Sequence, residues 1–159
     1  THGTPYRHFE SKENYLKVVL KRLSVFLNQE IQKEIDWKAS ARNQLAQMGF
    51  NFIIFAKAYP YFFEALFIKF PFKYIKVTQD TISLDSDLPG FAAFKRIVLE
   101  LRKDEGFTNS EAEILFHFWS FISGLAVLAN SPIGRDLDNK AIQTNIEHML
   151  DVYIKGERS

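Results

Sequence analysis

Apolar residues recur along most of this chain at intervals of three and four, the period of a helix that buries one face. From Ser11, a capping residue, Leu16, Val19, Leu20 and Leu23 fall on one side. The stripe continues through Phe26, Leu27 and Ile31 towards Ile35, where Asp36-Trp37 ends it. A helix over about Lys38 to Ala58 repeats Ala41, Leu45, Met48, Phe52, Phe55 and Tyr59. Between Phe50 and Phe55 it is apolar on every side, which predicts a helix through the middle of a core. Pro60 stops it, and Tyr61 to Phe70 form a short aromatic helix bounded by Pro71.

In residues 72–88, Tyr74, Ile75, Val77, Thr78, Thr81 and Ile82 favour strand. A lone strand pair among helices has no sheet to join, so the expectation is an irregular loop, long enough to act as a lid. From about Pro89 to Lys103, Phe91, Phe94, Ile97, Val98 and Leu101 line one side, and Gly106 ends the helix. Asn109 or Ser110 caps the next, with Glu111 and Glu113 at its positive end; it runs to Asn130, where Ser131-Pro132 stops it. The last helix, about Leu137 to Lys155, carries Ile142, Ile146, Met149, Leu150, Tyr153 and Ile154. At the other end, Thr1 and Pro5 suit the start of a short helix, and Phe9 plugs the break before Ser11. The pattern predicts an all-α protein.

Composition adds one expectation. Apolar residues make up 47% and aromatics 15% of the 159 residues, with sixteen phenylalanines, which predicts a thick core or an internal apolar cavity. The candidate lining is Phe52, Phe55, Tyr59, Phe63, Phe67, Phe118, Trp119 and Phe121, and the expected ligand is a small apolar or aromatic molecule. The segment Ile114 to Ala129 is interrupted by His117 and Ser120 and falls short of the roughly 20 residues that span a bilayer, so it is expected to be a buried helix. No secretory pattern opens the chain, and the expectation is a soluble, cytoplasmic protein without a membrane partner.

Charge is nearly balanced at +1, but residues 1–22 hold Arg7, Lys12, Lys17, Lys21 and Arg22 against Glu10 and Glu13. A basic end of this kind suits phosphate binding. The absence of cysteine excludes disulfides, thiolate metal sites and a cysteine nucleophile. The histidines His2, His8, His117 and His148 lack metal spacing: Glu113 and His117 are four apart and Glu147 and His148 are adjacent, where a bundle di-iron site needs Glu-x-x-His twice. No nucleophile elbow or phosphate loop is present. Neither an enzyme, a metal nor a cofactor is expected.

The first sixteen residues carry more information. Thr1, Gly3, Tyr6, Phe9, Ser11 and Lys12, with the core Pro5-Tyr6-Arg7-His8-Phe9, resemble the end of the helix-turn-helix of TetR-type transcriptional repressors. Phe55-Ala56, Tyr59-Pro60 and Phe63, with Trp119 and Ser123-Gly124-Leu125-Ala126, resemble the subgroup with a WHG-type C-terminal domain, which usually has His where this chain has Ser123. The resemblance implies that residues 1–36 are part of a DNA-binding domain, recognition helix plus connector, whose first two helices precede Thr1. Residues 37–159 would be the ligand-binding and dimerisation domain of a TetR-like bundle. It further implies DNA contacts from Thr1, His2, Gly3, Thr4, Tyr6, Arg7, His8 and Lys12.

The same family dimerises through its last two long helices. That implies a homodimer interface at Phe116, Ser123, Gly124, Val127, Ile142, Ile146, Met149 and Tyr153. The helix Glu111–Asn130 suits this, because Phe116, Phe121 and Leu128 lie off its main apolar face. The function implied is a repressor that leaves a double-stranded DNA operator when its ligand binds. The alternative is a helical dimer that binds a hydrophobic small molecule or lipid without a DNA role.

Overall fold

The computed structural model describes residues 11–69, 75–77, 82–84, 90–134 and 136–158. The expected recognition helix, with Thr1, His2, Gly3, Thr4, Tyr6, Arg7 and His8, lies outside the described residues, as does Phe9. The fold is all-α. Helix α1 covers Lys12–Ile31, α2 Ala41–Ala58, α3 Pro60–Phe63, α4 Phe91–Glu105, α5 Glu111–Asn130 and α6 Asn139–Glu157. A π-helical turn, Glu64–Lys69, continues α3.

Local chemistry accounts for the helix starts. Ser11 accepts from Asn14 N at 3.1 Å, Ser40 from Asn43 N at 3.3 Å, and Asp138 from Ala141 N at 2.7 Å. Ser110 and Glu113 form a reciprocal capping box, each side chain taking an otherwise orphaned donor of the other's backbone. The Ser110 hydrogen bonds hold the Glu113 carboxyl below its ordinary pKa.

Two bounds differ from the periodic pattern. α1 stops at Ile31, short of Ile35, and Glu34 adopts a left-handed backbone (φ 56°). The carbonyls of Ile31 and Lys33 are taken by Asn51 Nδ2 of α2, at 3.1 and 2.7 Å, so the helix end is capped from a neighbouring element. Ile35 is nonetheless buried, reached from outside the helix. α2 opens at Ala41 and not Lys38, because Lys38 N donates to Asp36 Oδ1 in a local turn at 2.9 Å and Ser40 supplies the cap.

α2 is the axis of the bundle, touching α1, α4, α5 and α6. Its buried residues, among them Leu45, Met48, Phe52, Ile53, Phe55 and Ala56, point in every direction, as its all-round apolar sequence predicts. Polar contacts pin it at both ends. Arg42 Nη2 donates to Asp151 of α6 at 2.6 Å, and Lys57 Nζ to the Leu137 carbonyl at 2.6 Å. At Tyr59-Pro60 the chain turns by 109° into Pro60–Lys69.

Residues 72–88 contain a correction. Ile75–Val77 (β1) and Ile82–Leu84 (β2) pair antiparallel, with Ile75 opposite Leu84 and Val77 opposite Ile82, where an irregular loop was expected. The missing partner is a helix, since β2 lies against α5.

α5 also departs from a simple buried helix. Ile114, Leu115, Phe118, Ala126 and Ala129 are buried, whereas Phe116, Val127 and Leu128 are about half exposed. Its 20 residues are long and apolar enough to cross a bilayer by length and composition. In this fold one side packs on α2 and α4.

Ser131 to Gly134 turn the chain from α5 towards α6. A Cβ on Gly134 would collide with the Leu128 carbonyl oxygen and lie 2.8 Å from Ala129 Cα, both backbone atoms that cannot swing aside. Gly134→Ala is therefore expected to destabilise the protein by about 2–3 kcal/mol in urea unfolding. Gly156→Ala, where nothing lies within 4 Å, should be neutral or slightly stabilising in the same measurement.

Candidate functional site

An apolar cavity of about 70 Å³ lies beside α2. α2 lines it with Leu45, Met48, Gly49 and Phe52, and α5 with Phe118, Trp119, Phe121 and Ile122. α6 adds Ile146, Met149 and Leu150, and α1 adds Leu27 and Ile31 from its last turns. Phe67 of the π turn and Gly90, Phe91 and Phe94 at the start of α4 complete the wall. No charged side chain is among them, and the Trp119 indole carries their one side-chain N–H. A space of this size exceeds the roughly 10–15 Å³ that one water needs, but the lining offers almost no polar partners to hold it.

Two glycines set the shape of this wall. A Cβ on Gly49 would approach Ile122 Cδ1 to 3.2 Å, so its absence lets α2 and α5 close together there. Gly90 has φ 80°, left-handed backbone that suits glycine, and a Cβ on it would collide with Ile31 Cδ1 of α1. The first turn of α4 and the last turn of α1 thus meet at the cavity's rim.

Of the eight residues expected to line a ligand site, five border this cavity: Phe52, Phe67, Phe118, Trp119 and Phe121. Their rings are in edge or tilted contact, Phe52–Phe67 at 5.1 Å and Phe67–Trp119 at 5.5 Å. Phe55, Tyr59 and Phe63 stand outside the cavity. Phe55 is fully buried and, with Tyr59, packs on Phe26 of α1 at 5.8 and 5.1 Å. Phe63 is buried behind Phe52 and Phe67. The residues not anticipated, chiefly those of α1, α4 and α6, belong to ordinary apolar stripes. Their periodicity marks them as inward-facing, but no local signal says which stripes converge on one space.

The residues expected at a dimer interface divide by helix. On α5, Phe116, Gly124 and Val127 are exposed, and Ser123 is partly buried with its hydroxyl unpartnered among the described residues. On α6, Ile142 and Ile146 are already covered by their own chain, and Met149 faces the cavity. Tyr153 is half-buried, accepting from Asn109 Nδ2 at 2.6 Å and lying 3.0 Å from His117 Nδ1. α6 has a single apolar stripe, and the core uses it. Its outward side carries Val152 in its place. Lys12, the one described residue of the expected DNA-contact set, opens α1 on the exposed surface. No group of three or more His, Cys, Asp or Glu able to hold a metal ion occurs among the described residues.

No family model matches the chain. No curated protein matches it either. Its fold is similar to a solved structure described as that of a protein with unknown function from Rhodococcus sp. RHA1, with a TM-score of 0.68 at 16% identity, covering 100% of this chain and 79% of that one. At that identity the likeness speaks for the fold alone.

Burial raises the Tyr153 phenol above its ordinary pKa, although the Asn109 hydrogen bond pulls the other way. The folded state thus holds this proton more tightly than the unfolded chain does. The stabilisation is complete below a pH of about 10, the unfolded tyrosine value, and is lost as pH rises through the folded value. Denaturant midpoints should fall above about pH 10, and with a shallower slope in Tyr153→Phe.

Proposed function

We propose that this chain is the regulatory body, with part of the DNA-binding head, of a TetR-type transcriptional regulator: a homodimeric repressor released from its operator by a small uncharged apolar or aromatic molecule. One observation carries this reading. The helix that begins at the Ser11-Lys12 end of the helix-turn-helix-like motif finishes, at Leu27 and Ile31, as a wall of the apolar cavity. Twenty residues of α-helix make a rod of roughly 30 Å. A ligand that displaces the Ile31–Gly90 contact would tilt that rod and move the DNA-contacting end, which is the differential contact that allosteric release requires.

The dimer half of the proposal draws on α5. Phe116, Ser120, Gly124 and Val127 recur at helical spacing on its exposed side. Gly124 sits inside a helix, where glycine costs about 1 kcal/mol relative to alanine, with nothing from its own chain within 4 Å. A close approach by α5 of a second copy would account for both features. Sedimentation equilibrium should therefore give a dimer that Val127→Asp dissociates, while Gly124→Ala weakens the dimer yet raises helix stability.

DNA binding is tested with the complete native chain on fragments of its own upstream DNA, by fluorescence anisotropy across a salt series. Tight, salt-sensitive binding is expected, lost in the Tyr6→Ala, Lys12→Ala double variant. Each phosphate contact removed should lower the salt slope by about one. Equal, weak binding by both proteins on every fragment would reject the repressor. It would favour a helical dimer that binds a hydrophobic molecule or lipid without a DNA role.

A further inference from the structure

The cavity is small for the site it would have to be. Its roughly 70 Å³ compares with about 150 Å³ for an apolar cavity that admits benzene and 300–1,000 Å³ for larger ligands. A ligand the size of an aromatic ring is accommodated in full only if a wall residue moves. Most of the wall is carried on long core helices, and several lining residues, such as Phe118 and Ile146, are almost wholly buried. Phe67 differs in the element that carries it. Like Trp119 and Phe121 it is partly buried, and exposed Ile68 and Lys69 follow it in the chain.

Phe67 is also carried on the π turn Glu64–Lys69, the i to i+5 winding that Lys69 and Glu64 bridge at 3.1 Å. A π turn holds one residue more than an α-helical turn and occurs mostly as an isolated, functionally placed irregularity. Rewinding that surplus residue rotates the ring without unwinding a core helix. What holds the ring inward is contact with other rings: Phe52 at 5.1 Å, Phe63 at 5.3 Å and Trp119 at 5.5 Å.

We infer that Phe67 is the plug of this cavity, and that its withdrawal on the π turn governs how fast, and how large, an uncharged ligand enters. The inference rests on the proposal that the cavity holds a ligand. It adds the residue that determines ligand size and a specific entry route, past the π turn.

The two tryptophans, Trp37 and Trp119, allow a direct test. Trp37→Phe keeps an aromatic face for Arg96, whose guanidinium carbon lies 4.7 Å from the Trp37 ring, and leaves Trp119 as the sole fluorophore at the cavity. With that chain as parent, toluene binding is followed by stopped-flow at the red edge of tryptophan absorption, where toluene is transparent. Phe67→Ala and the milder Phe67→Leu are compared with Phe118→Leu and Ile146→Val, which enlarge the cavity from buried positions.

The expected result is that the Phe67 variants associate about tenfold or more faster, since ring contacts that oppose opening are gone. The buried-position variants should change dissociation alone. Toluene association at one rate in every protein, or an equal acceleration by Phe118→Leu, overturns the plug and leaves the cavity as a ligand site. Trp119 emission that toluene moves in none of the proteins overturns both.

Discussion

The structure depends on one helix that is apolar on every side. α2 cannot face water along any direction over its middle turns, so the other helices are obliged to surround it. Phe52, Ile53, Phe55 and Ala56 are consecutive or nearly so, and all four are buried. Helices α1, α4, α5 and α6 each need to cover only one stripe, and each does so against α2. The polar residues on α2 serve this arrangement. Asn51, oriented by Gln47 at 2.9 Å, closes the end of α1, and Arg42 holds α6.

Surrounding a helix of large rings with other helices leaves imperfect packing where most of them meet, and the cavity is that place. Its size is set by side chains from every surrounding element, including the end of α1 and the start of α4. Gly90 brings those two elements into contact at the rim, and Leu27 and Ile31 put α1 itself in the wall. On the plug proposal the π turn matters because it carries one part of the wall, Phe67, on a short irregular segment and not on a long core helix. Aromatic contacts of this kind are worth about 0.5–1.5 kcal/mol each beyond buried area, enough to keep a ring in place and too little to fix it there.

α5 has the opposite problem from α2. It is the more apolar of the two but is covered on one side only. Its capping box at Ser110 and Glu113 satisfies the helix start locally, and Gly124 leaves part of its outer side almost bare. Within one chain this side has no partner among the described helices. In the proposed dimer a second copy covers this side, and because the apolar stripe of α6 faces inward, that contact would rest on α5 and the outward positions around Val152.

The sequence by itself determined the helical class, the number and order of the long helices and the central place of α2. These follow from helical period, from capping residues such as Ser11 and Ser110, and from stops such as Pro60, all of which act within a few residues. The same local signals picked out Phe52, Phe67, Phe118, Trp119 and Phe121 as an aromatic set. They could not separate these from Phe55, Tyr59 and Phe63, which share the same spacing and chemistry but turn towards α1 or stand behind the cavity rings. Only the tertiary structure decided which rings border an empty space, that Asn51 and not a longer helix closes α1, that β1 and β2 pair against α5, and that Ile142 and Ile146 are used up inside the chain. Each of those outcomes depends on residues far apart in sequence competing for the same surface, and local periodicity carries no information about which of them wins.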